Sequence, residues 1–216
     1  MLHWERQALR RTLAACPRHR LRPGDVHSAD DFVEAALLIV EKGIVVIASG
    51  ARSKRRIVLG FGSPGTLLPP PCSEERLVAL ADSMLISISQ DVQRVLLRSP
   101  ASAEAIVEAL MEALRERQEN LAQFASVVHT ERLREKLLQL ARAHGSVVAD
   151  GVRVDVPLTH ELLGQAVGSA RETVTCALQA LQREGFLVRE GRLYRLTISP
   201  EILSPDEQAL GPRPGR

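Results

Sequence analysis

Between Ser169 and Cys176 the chain gathers hydroxyls at Ser169, Thr173 and Thr175, a guanidinium at Arg171, a carboxylate at Glu172 and a thiol at Cys176. A guanidinium forks onto the O6 and N7 of a guanine, a carboxylate accepts from the N4 amine of a cytosine, and hydroxyls bond phosphate oxygens. Arg171, Glu172, Thr175 and Cys176 are therefore the candidate contacts to base edges. Thr159, His160, Ser169, Thr173 and Arg192 are the candidate contacts to phosphate. The competing reading is a plain polar first turn with Ser169 as its N-cap, but an Arg in a first turn opposes the helix dipole.

Other chemistry is poorly supplied. The six His (3, 19, 27, 129, 144 and 160) are dispersed, and no H-x-H, H-E-x-x-H or paired-carboxylate spacing occurs. No metal, cofactor or enzymatic activity is expected, and the reading of the roll as a cupin-like metalloenzyme loses its basis. Cys16, Cys72 and Cys176 are odd in number and widely spaced, so they form neither a disulfide framework nor a zinc site.

The chemistry-bearing stretch needs a scaffold, and the flanking pattern supplies one. Leu158 to Val167 reads as a short helix capped by Thr159, and Gly168-Ser-Ala as a tight turn. Arg171 to Glu184 reads as a second helix with apolar face Val174, Ala177, Leu178 and Leu181, ended by Gly185. Phe186 to Val188, a turn at Glu190-Gly191, and Leu193 to Leu196 read as a hairpin. Two helices across a Gly-containing turn, followed by a hairpin, make a winged helix-turn-helix. A small β piece, Val147 to Val156, precedes it with a turn at Asp150-Gly151.

Upstream, Ala101 to about Ala143 lacks Gly and Pro until Gly145 and reads as helical. Val107, Leu110, Leu114, Arg117, Leu121, Phe124 and Val128 alternate by three and four, the spacing of a coiled-coil seam, and point to a homodimer, with a helix lying on its own domain's core as the competing reading. A break at His129-Thr-Glu, with Thr130 as N-cap, starts a further helix through Leu133, Leu137, Leu138 and Leu140. Before Ser99 the runs Ala36–Val40, Ile44–Ala48, Ile57–Phe61, Leu77–Leu80 and Met84–Ile88 have strand length and turn-rich spacers too short for crossover helices. Antiparallel pairing in a β-sandwich or small barrel follows.

The fold class is thus α+β: an N-terminal antiparallel β-roll at 1–99, a long dimerisation helix at 100–129, a winged helix-turn-helix at 130–199 and a flexible tail at 200–216. The 216 residues are 45% hydrophobic and 25% charged, enough for one or two cores, and no apolar run approaches the ~20 residues of a membrane span. No apolar leader precedes residue 11, so the expected compartment is the cytoplasm. A net charge of +2 selects no partner. Aromatic residues at 3% are too few to stack single-stranded bases, which leaves duplex DNA as the nucleic-acid partner.

The run Leu163-Gly-Gln-Ala-Val-Gly-Ser-Ala-Arg-Glu-Thr-Val174 resembles the helix-turn-helix of the cyclic-AMP receptor and fumarate/nitrate regulator (Crp/Fnr) family. The likeness extends to Leu37-Leu-Ile-Val-Glu-Lys-Gly-Ile-Val-Val46, similar to that family's second and third strands, and to the seam helix. It implies a homodimeric transcription regulator with a β-roll, a dimerisation helix and a winged helix on a palindromic operator, working with RNA polymerase. Members that bind cyclic AMP carry Gly-Glu-Leu and then Arg-Ser where this chain has Pro69-Pro70-Pro71 and either Ser73-Glu74 or Glu74-Glu75. Proline offers no N–H and a carboxylate repels phosphate, with Arg76 the single nearby cation. This degenerate effector pocket implies no response to cyclic AMP.

Iron-sulfur members need several N-terminal cysteines, and Cys16 stands alone there. The same fold sensing another small ligand, or a haem or redox signal through residues such as His27 and Cys72, is the alternative. In the recognition helix, family members often carry an Arg where this chain has Cys176, a weak donor without a fork. Its half-site should differ from the best-known family consensus. A protein-interaction adaptor without DNA binding is the reading from another class, and it leaves the retention of Arg171 and its hydroxyls unexplained.

Overall fold

The structure, a computed structural model, describes residues 12–49, 56–126 and 129–203. It divides into two compact units, Met1–Ser126 with Gln165–Gly168, and Val127–Gly164 with Ser169–Arg216.

In the first unit β1 (Arg18–Leu21), β8 (Ser83–Ser89), β3 (Ala35–Lys42) and β6 (Leu67–Leu68) form one antiparallel sheet in that order. The second is β2 (Val26–His27), β7 (Glu75–Ala79), β4 (Val45–Ser49) and β5 (Ile57–Gly62). Strand alternation sends Leu38, Val40 and Leu85 into a core with Val45, Ile47 and Leu77 of the other sheet. Leu37, Ile39, Ile86 and Ile88 enter a second core on the opposite face. A strand buried on both faces needs an unbroken apolar run, and Leu37–Val40 is one. Each such side chain contributes roughly 1.5–3 kcal/mol by leaving water.

The second face is covered by α1 (Gln90–Leu97) and α2 (Pro100–Ser126) through Leu96, Ile106 and Ala109. α1 falls on a stretch for which the sequence reading names no element. Its signals are Ser89, whose Oγ accepts from the Val92 N–H at 3.4 Å, and the i,i+4 pair Val92 and Leu96 on the core. Pro100, suited to a first helical position, begins α2. The expected strands are all present; β1, β2 and β6 were missed because two are dipeptides and Arg18-His-Arg-Leu21 is mostly polar.

α2 carries two faces rather than the one seam expected. Leu110 packs with Ile106 and Ala109 on the chain's own core, and Arg117 pairs with Glu75 of β7. Val107, Met111 and Leu114 are the apolar residues left exposed, at 57%, 45% and 49%. The side chains of Leu121 and Phe124, and Val128 altogether, lie outside the described residues.

The second unit holds α3 (His129–His144), β9 (Gly145–Val148), β10 (Gly151–Val154), the start of α4 (His160–Val167, whose residues from Gln165 on group with the first unit), α5 (Arg171–Arg183), β11 (Leu187–Glu190) and β12 (Leu193–Leu196). The sheet order is β11-β12-β10-β9, all antiparallel. α3 begins at His129, one residue before the expected cap at Thr130. The hairpin turns fall one residue from expectation, on Ala149-Asp150 and Gly191-Arg192, as the pairs Val148 with Gly151 and Glu190 with Leu193 require. α3 packs on α5 and β10, burying Leu133, Leu137 and Leu140 alongside Val174, Leu178 and Leu181. Among the described residues no helix is long and apolar enough to cross a membrane.

Candidate nucleic-acid interface

α4, the turn and α5 occupy the expected residues. Thr159 caps α4, its Oγ1 accepting from the Leu162 N–H at 3.1 Å. The turn is tight: the Ser169 N–H donates to the Gly164 carbonyl at 2.9 Å, and a Cβ on residue 164 would stand 2.8 Å from the Ser169 carbonyl oxygen. Gly168 takes φ +63°, the left-handed region that favours glycine. Both glycines are there because the chain doubles back on itself.

α5 starts at Arg171 with Ala170, not Ser169, as its N-cap, and Ala170 has no side chain to cap with. Its far end closes at Gly185, where the Phe186 N–H reaches the Leu181 carbonyl and the Gly185 N–H that of Gln182, both at 3.0 Å. Arg134 of α3 lies over the Phe186 ring, 4.5 Å from its centroid, and pairs with Glu184. That end of α5 is fastened, and the opposite end presents side chains. Arg171, Glu172 and Cys176 are exposed, and none has a side-chain partner among the described residues. Arg192 is exposed at the tip of the β11–β12 wing, and Thr173 is half-buried.

The remaining candidates are engaged. The Thr175 hydroxyl donates to the Arg171 carbonyl at 2.9 Å, so it accepts from Nδ1–H of His160, 2.8 Å away. That bond joins the first turn of α4 to the first turn of α5 and fixes the His160 tautomer, leaving Nε2 as the ring's acceptor. Burial, then Arg189 and Arg171, lower the His160 pKa, so the ring is neutral at pH 7. Ser169 Oγ lies 2.7 Å from Nδ1 of His129. Thr175 and His160 therefore hold the helix pair together, a use that residue type alone did not reveal.

In the roll, Pro69 to Pro71 lead into a loop closed by its own polar groups. The Cys72 N–H donates to Glu75 Oε2 at 3.1 Å, and Glu75 Oε1 faces Arg117 Nη1 at 3.5 Å. Arg76 Nη1 donates to the carbonyls of Ser73 and Glu75, at 3.2 and 2.7 Å. Arg76 is thus turned onto the loop itself. His27 lies in β2 with its ring 5.8 Å from that of Phe32, while Cys72 is exposed and Cys16 buried. Among the described residues no group of three or more His, Cys, Asp or Glu could hold a metal.

The Crp-like helix-turn-helix domain matches residues 131–200. A CRP-like cAMP-activated global transcriptional regulator of Mycobacterium tuberculosis is 28% identical over 173 residues, covering 77% of each chain. A global nitrogen regulator of Synechocystis sp. is 30% identical over 167 residues, 76% of this chain and 65% of that one. A CooA mutant from Carboxydothermus hydrogenoformans shares the fold, with a TM-score of 0.73 at 19% identity over 88% of this chain and 87% of that one. The roll, the winged helix and the relatives that share them converge: residues 131–200 are a Crp-like helix-turn-helix domain, and over about three quarters of its length the chain is similar to transcription regulators of the Crp/Fnr kind.

Proposed function

We propose that the chain is a homodimeric regulator that reads a palindromic duplex operator through α5 and does not answer to cyclic AMP. The observation that carries this is the exposed set Arg171, Glu172 and Cys176 on the first turns of α5, without side-chain partners among the described residues. Arg171 meets a guanine and Glu172 a cytosine, with Cys176 at the same groove surface. Thr159, Ser169, Thr173 and Arg192 meet phosphates, and Thr175 and His160 support them from behind. The domain limits drawn from the sequence serve this division of labour.

The dimer uses the exposed apolar stripe of Val107, Met111 and Leu114; in the sequence the seam spacing goes on to Leu121, Phe124 and Val128. Exposed apolar residues repeating by four and three along one helix need a partner surface. Independence from cyclic AMP is supported by Pro69 to Pro71 and by a Glu75 carboxylate already turned to Arg117. Work in the cytoplasm, beside RNA polymerase, is an extension from the likeness to those regulators.

Selection on random duplex DNA with the wild type and Arg171→Ala tests the reading. The wild type should enrich a palindrome with half-sites about 34–36 Å apart. Arg171→Ala should lose about 1–3 kcal/mol on that site and flatten preference at one base of each half-site. A non-palindromic winner, or an unchanged preference in the variant, refutes it.

A further inference from the structure

Between α5, the start of α4 and the wing lies a cavity of about 120 Å³, lined by His160, Thr175, Gln179, Gln182, Arg189 and Tyr194. Three observations give it a chemical character. Tyr194 is 1% exposed and its hydroxyl is buried without a hydrogen-bond partner among the described residues, an arrangement that is costly unless something fills it. Arg189, directly across the hairpin from Tyr194, donates through Nε to the Gly191 carbonyl at 3.1 Å and makes no ion pair with a described carboxylate. The carboxamides of Gln179 and Gln182 have no partner among the described residues either. A guanidinium, a phenol and two carboxamides, with no carboxylate on the walls, favour an anion over a cation. The volume admits a few waters or one tetrahedral oxyanion.

We propose that this cavity receives one phosphate group, and that the backbone of the DNA read by α5 supplies it. Arg189 provides the charge, Tyr194 and the two glutamines donate to the oxygens, and Leu187 to Leu196 become a clamp as well as a support. The inference rests on the DNA-binding reading above, which it deepens by naming a phosphate contact that no base reading requires.

The test uses the full chain, with Arg189→Gln and Tyr194→Phe beside the wild type and Arg171→Ala. Binding is measured to the selected operator and to random duplex across a salt series. Arg189→Gln should weaken both duplexes roughly tenfold and make the salt slope shallower by about one. Tyr194→Phe should weaken both by a few-fold with an unchanged or higher melting temperature, because an unbonded hydroxyl contributes nothing to the free protein. Inorganic phosphate, titrated by calorimetry, should bind the wild type weakly and Arg189→Gln not at all.

If Arg189→Gln binds both duplexes like the wild type with the same salt slope, while Arg171→Ala still loses its base preference, the cavity proposal is wrong and the DNA-binding reading stands. Loss of free-phosphate binding in Arg189→Gln, with DNA binding untouched, would overturn the backbone as the source. An Arg171→Ala variant that behaves like the wild type counts against the DNA-binding reading itself. A melting temperature lowered in Tyr194→Phe would mean that the hydroxyl is bonded in the free protein, against the proposal.

Discussion

Two short polar stretches, Pro69–Arg76 in the roll and Gly168–Cys176 in the winged unit, end in opposite ways. In the first, Glu75 holds a backbone N–H and faces Arg117, and Arg76 is turned onto two carbonyls of its own loop. In the second, Arg171, Glu172 and Cys176 are offered to solvent. A charged residue thus marks a binding surface where the fold leaves it idle and a structural tie where the fold employs it. The contrast reaches the interiors. The first unit buries Ser83 with its hydroxyl bonded to Ile44, whereas the second buries Lys136, 1% exposed, near His144, whose pKa burial and the Lys136 charge lower to about 4.

Acid should separate the units most. His144 is neutral above about pH 6.5 in either state, so it makes no difference there; as pH falls from 6.5 to 4 the unfolded chain takes up a proton that the folded one refuses. The loss approaches about 3 kcal/mol below pH 4 and should fall on the second unit, read by hydrogen exchange of α3 and α5 against β3 and β8. His144→Gln should flatten that profile, and an equally acid-labile variant would count against this assignment.

Next in size is Gly164→Ala, which forces a methyl against the Ser169 carbonyl. It should destabilise the second unit by about 1–3 kcal/mol and lower duplex affinity with no effect on exchange in β7. Unimpaired DNA binding would show that the turn does not set the geometry of α5. The smallest effect belongs to Glu75→Gln. With the pair partly exposed, at 12% and 31%, the first unit should lose about 1 kcal/mol and duplex affinity should not change. A changed base preference would mean that the loop is not merely a structural tie.

The winged helix was legible because its residues obey local rules: Thr159 caps, Gly168 turns, and Val174, Ala177, Leu178 and Leu181 repeat on one face. β3 and β8 were legible as apolar runs. What was not legible depended on residues far apart in the chain. Leu110 and Met111 are neighbours of similar hydrophobicity, and only the roll packed beneath α2 decides that one is covered and the other exposed. The bond between Thr175 and His160 could not be read from residue type, and Arg189 and Tyr194 gained interest only from the cavity they share. α1 could have been found from Ser89 and the Val92–Leu96 spacing.

The two faces of α2 bear on how freely its sequence can drift. Ile106, Ala109, Leu110 and Arg117 answer to the roll, while Val107, Met111 and Leu114 answer to the proposed second copy. Glu104, Glu108, Glu112 and Arg115 are left between those demands, with Glu112 and Arg115 joined only by a surface ion pair at 3.5 Å. A saturation library over residues 104–117 should therefore accept almost any polar residue at these four positions and few exchanges at the positions named for the two faces. Adaptation of this segment would be confined to a narrow polar strip, and a change of partner would have to be won at Val107, Met111 and Leu114 without disturbing residues one position away.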